Sequence, residues 1–348
     1  MPDGSAGIIV RELTADRFAE WDDFVARCET ATFFHRAGWQ RVIAESFGHR
    51  THYLYAEQNG TIRGVLPLVH IASRLFGNTL VSNAFCVYGG PAALDEAARA
   101  ALDRSATALL SQLGADCLEY RQLARTHPDW PCKDGLYATF RRAIDPDPDA
   151  NLKAIPRKQR AVVRQSLERN LAVEEDATVD RFFDLYALSV RNLGTPVFAK
   201  RYFANLKRVF GGDCEVLVVL HDGKPVCGVM SFYFRDEVLP YYAGASPAVR
   251  GLGGYDFMYW HLLRQGAQRG LRIFDFGRSK AGTGAFAFKK NWGFAPQPIF
   301  HEYQLKPGCS IPDINPLNPK YRLFIAAWKR LPLPIANALG PVIARDLG

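Results

Sequence analysis

The chain carries a weak internal repeat, and few folds accommodate one on this scale. In the first half Asp16-Arg17-Phe18 opens an amphipathic helix with Phe18, Trp21, Phe24 and Val25 on one side. In the second half Asp180-Arg181-Phe182 opens another, with Phe183, Tyr186 and Val190. A further helix in each half stops at Phe-Gly: Trp39 to Phe47-Gly48, and Tyr202 to Phe210-Gly211. A hairpin follows each. Tyr53 to Ala56 turns at Asn59-Gly60 into Gly64 to Val69, and Val216 to Leu220 turns at Asp222-Gly223 into Gly228 to Phe232. Both dipeptides favour the positive φ of hairpin turns. Next come a strand (Leu80 to Tyr88; Val238 to Ala243) and a long helix (Asp95 to Leu113; Gly254 to Arg269) that stops at Gly114 or Gly270. Each half then has a strand with one acid, Glu119 or Asp275. This order predicts a duplicated α/β (α+β) unit, in which sheet and helices pack as layers.

Size and composition agree. A chain of 348 residues has room for two domains, and 48% hydrophobic with 22% charged residues is the balance of a globular protein. The net charge of +8 favours an anionic partner: nucleic acid, a phosphorylated substrate or anionic lipid. The seven cysteines are widely spaced and never form Cys-x-x-Cys. They make neither a disulfide framework nor a zinc site and fit a reducing compartment. No spacing among the eight His suits a metal. Met1 to Gly7 is short and polar, unlike a signal peptide, and no apolar run approaches the ~20 residues of a membrane span. The expected location is cytoplasmic, with the inner face of the membrane as a secondary place.

Between the halves, Asp145-Pro-Asp-Pro-Asp149 reads as an acidic linker. Beyond it Lys153, Arg157, Lys158, Arg160, Arg164 and Arg169 face a single acid, Glu168. Ile155-Pro156 sets a helix start. Arg157, Arg160 and Arg164 then share one cationic face, either a solvated surface or an anion-binding one. From Lys306 the repeat has no counterpart. Ile311 to Pro319 reads as an extended Pro-rich link. A short helix follows, with Tyr321, Leu323, Phe324, Ala327 and Trp328 beside Lys320, Arg322, Lys329 and Arg330. Leu331-Pro-Leu-Pro334 breaks it, and Ile335 to Ala344 makes a second weak helix. Such a tail packs on its own domain or lies on a membrane surface through 320–345.

The stretch Leu271 to Phe294 looks most like a site. An apolar run to Phe276 carries one acid, Asp275, which desolvation makes costly unless it has a partner or a task. A loop with Gly277, Gly282 and Gly284 follows, bearing Arg278 and Lys280. Lys289 lies i+3 from Phe286 and i−3 from Trp292, so its stem can follow the apolar face and present its ammonium to a pocket. The bland readings are an Asp275–Arg278 salt bridge and a surface lysine. Upstream, Ser246-Pro-Ala-Val-Arg250-Gly251-Leu-Gly253-Gly254 precedes the long helix. Glycines there let backbone N–H groups point outward at a helix N-terminus, an anion site to which Arg250 adds charge. Strand, Arg-Gly-x-Gly-Gly, helix, strand is the order around the pyrophosphate loop of GNAT-type acyltransferases. The first half offers only Tyr88-Gly-Gly-Pro91, so chemistry belongs to the second. Tyr241 and Tyr242 are hydrogen-bond donors or core aromatics, while His35 and His301 read as structural. No Gly-x-Ser-x-Gly or Cys–His signature supports a covalent acyl-enzyme.

Several motifs together resemble the FemAB/FemABX-type family, and most closely its members associated with PEP-CTERM/exosortase systems. They are Phe33-Phe-His-Arg-Ala-Gly-Trp39, Gly64-Val-Leu-Pro-Leu68, Ile155-Pro-Arg-Lys-Gln-Arg160, Phe274-Asp-Phe-Gly-Arg-Ser279 and Phe286-Ala-Phe-Lys-Lys-Asn-Trp-Gly293. The resemblance covers about residues 8–305. It implies two tandem GNAT-like domains, each a mixed, mostly antiparallel sheet flanked by helices. These are expected over 1–147 and 148–305, with a helical tail over 306–348. It also implies acyl or aminoacyl transfer to an amine or hydroxyl of a cell-envelope precursor, related to peptidoglycan or exopolysaccharide. Lys289 matches the family's cationic site residue. The helical-hairpin insertion of some members is missing from 171–215, which leaves acyl-CoA beside aminoacyl-tRNA as donor.

Asp275, Lys289 and Arg278 are therefore the expected catalytic residues. Arg157, Lys158, Arg160, Tyr241, Arg250, Gly251, Gly253, Gly254 and Ser279 are the expected substrate-binding residues, with no metal and no bound cofactor. The expected partners are an anionic or phosphorylated envelope precursor and, for an aminoacyl donor, tRNA, without a stable nucleic-acid complex. On this reading Asp275→Asn and Lys289→Ala abolish turnover and barely move the melting temperature. Two alternatives stand beside it: an acyl-CoA-dependent N-acyltransferase of another substrate, and a non-catalytic basic module that binds anionic glycan or nucleic acid.

Overall fold

The computed structural model describes residues 7–73, 76–312 and 319–347. The chain forms two compact units. One contains Met1–Asp134, Ile299–Ile314 and Arg345–Gly348; the other contains Gly135–Pro298 and Asn315–Ala344.

The first unit opens with β1 (Ile9–Glu12), α1 (Phe18–Arg27) and α2 (Gly38–Phe47). α1 buries Trp21, Phe24 and Val25, the face their spacing marks. α2 stops at Gly48, whose φ of 73° is the left-handed cap a glycine adopts without strain. β2 (Arg50–Gln58) and β3 (Thr61–Ser73) are joined by Asn59 (φ 51°) and Gly60 (φ 77°), two left-handed residues in a row, as a type I′ turn needs. Then come β4 (Gly77–Ser82), β5 (Ala92–Ala93), α3 (Glu96–Gln112), β6 (Cys117–Gln122) and β7 (Cys132–Lys133). The Asp95 side chain caps α3 by accepting from Ala98 N. The core includes Leu54, Leu66, Leu80, Leu102, Leu118 and Tyr120. The strand expected from Leu80 to Tyr88 ends at Ser82, and residues 83–90 turn back as buried coil.

The second unit begins upstream of the acidic segment, with β8 (Tyr137–Thr139) and β9 (Arg141–Ala143). The expected boundary at 147/148 differs from the observed one, which falls between Asp134 and Gly135. Residues 145–149 are not a linker either. Asp147 caps α4 (Pro148–Ala154). Asp145 N donates to Oδ1 of the buried Asn151 at 2.9 Å, and Asn151 Nδ2 donates back to Asp145 O at 2.7 Å. α5 (Arg157–Leu167) starts directly after Pro156, as its sequence predicts. β10 (Leu171–Glu175), α6 (Asp180–Leu193), α7 (Lys200–Phe210), β11 (Cys214–His221) and β12 (Lys224–Phe234) follow, the hairpin again turning on two left-handed residues, Asp222 and Gly223. β13 (Glu237–Ala245), α8 (Gly254–Gln268), β14 (Ile273–Asp275), β15 (Ser279–Lys280), α9 (Gly284–Asn291) and β16 (Gln297–Pro298) complete this stretch. β17 (Phe300–Leu305), α10 (Pro319–Trp328) and α11 (Leu333–Ala344) end the chain. The core here includes Phe140, Val229, Val238, Met258, Leu262, Phe274, Phe276 and Trp292.

The two large sheets share a six-strand order, β1-β2-β3-β4-β6-β17 and β10-β11-β12-β13-β14-β9, to which the first adds β7 beyond β17 and β5 on β3. A small third sheet runs β15-β8-β16. In the large sheets every neighbouring pair is antiparallel except β4/β6 and β13/β14. The strand beyond each parallel pair comes from the other half of the sequence. β17 lies against β6, with Tyr303 opposite Glu119, and β9 lies against β14, with Arg141 opposite Asp275. The halves have exchanged their last strands.

Most of the Pro-rich link from Ile311 to Pro319 falls on 313–318, outside the described residues. The tail packs on the second unit. The α11 residue Gly340 lies against the backbone of Val197, where an added Cβ would sit 2.8 Å from its N. No helix among the described residues is long and apolar enough to cross a membrane.

His301, which showed no partner in the sequence, pairs with Glu119 at 2.8 Å across the β6–β17 ladder. Beside it, the Glu302 carboxylate is buried and accepts from the backbone N–H groups of Thr126 and His127. The His127 ring lies between Glu302 (3.5 Å) and Asp103 (3.1 Å) and stacks on Trp130. Burial alone would lower its pKa, but the hydrogen bonds to the two acids prevail and push it up to about 9. The imidazolium therefore contributes stability that is complete below the ordinary value near 6.5 and fades as pH rises through about 9. His127→Gln should cost about 1–3 kcal/mol in chemical denaturation at pH 6. The difference from wild type should shrink steadily when the measurement is repeated up to pH 10.

Candidate active site

In the second unit the parallel pair separates. β13 pairs with β14 only at Glu237↔Ile273 and Val238↔Phe274, then runs on alone on that side to Ala245. β14 ends at Asp275, and the chain turns at Gly277, whose φ is 66°. Two parallel strands that part leave a wedge. A bulge shapes one lip: β12 steps from Met230 opposite Tyr242 to Ser231 opposite Pro240, so Tyr241 is the extra residue. The rings of Tyr241 and Tyr242 consequently lie only 4.6 Å apart. Tyr241 also reaches across the wedge, its ring 3.9 Å from where a Cβ on Gly277 would stand.

In the first unit the corresponding pair stays together, from Thr79↔Cys117 through Ser82↔Tyr120. The chain beyond then folds back onto both strand ends. Gly89 N donates to Arg121 O at 2.8 Å, Gly90 N to Ser82 Oγ at 2.8 Å, and the Arg121 guanidinium to Cys86 O at 3.1 Å. Gly89 is required, because a Cβ there would lie 2.1 Å from Ser82 O. The first copy has filled with its own backbone the position that the second leaves open.

At the far end of β13 the glycine loop meets α8. Arg250 is exposed, Gly251 (φ 82°) and Gly253 (φ 64°) are left-handed, and Gly253 is the N-cap of α8. A Cβ on Gly254 would strike Val249 at 2.6 Å. The loop thus depends on glycine for conformation and for space, and the first N–H groups of α8 point into it. The basic helix α5 flanks the loop, since a Cβ on Gly253 would meet Ser166 at 3.1 Å and Val162 at 3.6 Å. Arg157, Lys158 and Arg164 are exposed on α5, and half-buried Arg160 donates to Lys153 O at 3.2 Å. Asp256, in the first turn of α8, is buried and accepts from Trp292 Nε1 at 2.9 Å and from the Gln159 side chain. Burial raises its pKa, against those two hydrogen bonds.

The expected catalytic residues lie around the turn at Gly277, in roles that differ from the expectation. Asp275 is fully buried and accepts from Thr139 Oγ1 at 3.0 Å and Gly277 N at 2.7 Å. The cation beside it is Arg141 of the exchanged strand, at 3.6 Å, and Arg141 also binds Glu237. Arg278 instead is exposed and stacks over Tyr137 at 4.6 Å. Lys289 does not present its ammonium to a pocket. Nζ donates to the carbonyls of Phe276 (2.7 Å), Gly277 (2.9 Å) and Arg278 (3.3 Å), which uses all three of its protons. Burial pulls its pKa down to about 7. Ser279 is buried in β15 with no partner for its hydroxyl. Arg141, Thr139, Glu237 and Asp256 are the residues that sequence reasoning missed. Only Asp256 had a local signal, an acid in the first turn of a helix.

This geometry changes what the Asp275 variant should do. Replacing the carboxylate by an amide removes the charge beside Arg141 and sets an NH2 donor where the surrounding groups donate. Asp275→Asn should lose about 2–4 kcal/mol and lower the melting temperature by roughly 5–10 °C in differential scanning calorimetry. An unchanged melting temperature would return Asp275 to a purely catalytic role.

Residues 152–290 match the acetyltransferase (GNAT) domain family. No curated protein matches the sequence. Among solved structures, FemX is similar with a TM-score of 0.67 at 16% identity, covering 84% of this chain and 96% of that one. The C-terminal domain of a protein named as a lysylphosphatidylglycerol synthetase, from Agrobacterium fabrum, aligns with a TM-score of 0.56 at 14% identity, covering 84% and 93%. A tandem GNAT protein from the clavulanic acid biosynthesis pathway aligns with a TM-score of 0.53 at 14% identity, covering 87% and 100%. The chain therefore has the fold of the tandem GNAT protein, which it also shares with FemX, and residues 152–290 within it match the GNAT acetyltransferase domain.

Proposed function

We propose that the second unit transfers an acyl or aminoacyl group to an amine or hydroxyl of a cell-envelope precursor. The observation that carries this reading is the parting of β13 from β14 beside a glycine-built helix N-terminus. A helix N-terminus with an exposed Arg250 suits the phosphates of an activated donor, acyl-CoA or aminoacyl-tRNA. The wedge gives the reacting carbonyl a place between two strands, where backbone N–H groups can face a developing oxyanion. The acceptor's nitrogen or oxygen attacks that carbonyl, the bond to the donor's leaving group breaks, and the nucleophile's proton departs with it. No acyl-enzyme is needed. Asp275, Lys289 and Arg141 serve as positioning residues: they fix the turn at Gly277, which forms the second lip. Tyr241 and Ser279 line that turn as acceptor-binding groups.

The envelope assignment rests on the FemAB-like motifs together with neighbours named FemX and lysylphosphatidylglycerol synthetase. Peptidoglycan and exopolysaccharide precursors are both acceptors of the right kind. They are anionic or phosphorylated, and the exposed Arg157, Lys158 and Arg164 give such a molecule a cationic flank beside the donor loop.

Donor choice can be read from thermal shifts. At a hundredfold excess over Kd the true donor should add about 2.7 kcal/mol of stability, and the other should add none. Arg250→Gln, at an exposed position, should weaken donor binding about tenfold or more without changing the ligand-free melting temperature. Envelope and exopolysaccharide from a deletion strain, surveyed by mass spectrometry, should lack one acyl or aminoacyl mass. An unchanged mass profile would count against the envelope acceptor.

A further inference from the structure

We infer that α11, with the turn that precedes it, is a docking face for an anionic membrane surface. The helix leaves a row of large apolar side chains in solvent. Its fully buried residues are small, Ala336, Gly340 and Ala344 at i, i+4 and i+8, with half-buried Leu333 and Ile343 on the same face. Gly340 lets the helix backbone lie directly on Val197. Three large apolar side chains point away from that face. Ile335, Leu339 and Val342, at i, i+4 and i+7, are exposed, Val342 by 70%. A helix that only needed to cover its own domain would turn those three inward. Leu323 on α10 is 85% exposed, and Phe324 is exposed as well.

Charge selects the occupant. Residues 319–348 contain Lys320, Arg322, Lys329, Arg330 and Arg345 against one acid, Asp346. Lys329 and Arg330 are exposed in the turn between α10 and α11. A second copy of this chain would bring the same cations against themselves. An anionic lipid headgroup layer complements them and accepts apolar side chains just below it. α11 has 12 residues and is about 18 Å long, too short to cross a hydrocarbon core of about 30 Å, so it lies along the surface.

The test uses the full-length protein and vesicles of two compositions, pure phosphatidylcholine and a mixture containing phosphatidylglycerol. Wild type should co-sediment with the anionic vesicles and only weakly with the neutral ones, and added salt should release it. Leu339→Asn with Val342→Ser should reduce binding to the anionic vesicles at least tenfold. Both side chains face solvent, so the melting temperature should stay the same. Lys329→Gln with Arg330→Gln should remove most of the preference for anionic vesicles. Two results would overturn the inference. One is equal sedimentation of wild type and the Leu339/Val342 variant. The other is a wild-type dimer in analytical ultracentrifugation that this variant converts to monomer, with no vesicle binding by either.

Discussion

The second unit is held together at one buried carboxylate. Asp275 has no contact with water, and its oxygens are taken by a threonine, a backbone N–H and the field of a guanidinium. Two of these partners, Thr139 and Arg141, arrive on strands that precede the rest of the unit in sequence. An unpartnered carboxylate at this depth would cost several kilocalories per mole, so the acid and the arriving strand need each other. The same carboxylate fixes the turn at Gly277, and Lys289 grips that turn from below through three carbonyls. The open wedge therefore rests on a rigid edge. Its shape comes from groups that have little freedom to reach toward a substrate.

A second buried acid performs a similar task under the glycine loop before α8. Asp256 joins Gln159 of α5 to Trp292 at the end of α9. Gly293 follows that tryptophan with a φ of 82°, and a Cβ there would press on Pro156 at 2.9 Å. The segments 155–160 and 286–293, which look like chemical signatures, thus converge on the first turn of α8. Trp-Gly and Pro-x-x-Gln have an assembly role: they seat the basic helix and α9 against the helix that the glycine loop begins. A motif can mark an active site by holding its frame, and a sequence does not separate that role from direct chemistry.

Local features were legible in proportion to how local their physics is. The Asn59-Gly60 and Asp222-Gly223 turns, the Gly48 stop and the Asp95-led helix all follow from the conformational limits of a few neighbouring residues. The repeat was legible because each copy punctuates its chain the same way, and the tandem fold followed from it. Long-range pairing left no such trace. Arg141 sits in a three-residue strand with an ordinary composition, and nothing nearby shows that it faces Asp275. Lys289 was read from the helix face as presenting its ammonium to a pocket, yet its acceptors are backbone carbonyls, which no side-chain pattern reports. The filling of the first copy was hidden too. Residues 83–90 look like an extended apolar strand until Gly89 and Gly90 fold back on Ser82 and Arg121.

The exchange of final strands has a consequence for synthesis. The ribosome releases the first unit's strands long before Phe300–Leu305 emerges, so β6 must wait with an unpaired edge while more than half of the chain is still being made. Such an edge is a template for wrong pairings, and a sheet closed by distant segments forms slowly. Folding of this protein is thus tied to completion of its chain, and a nascent chain stalled in the second half is a natural client for chaperones. The same trade makes the duplication irreversible. Neither copy can be lost, swapped or moved to another gene without taking a strand from the partner it leaves behind.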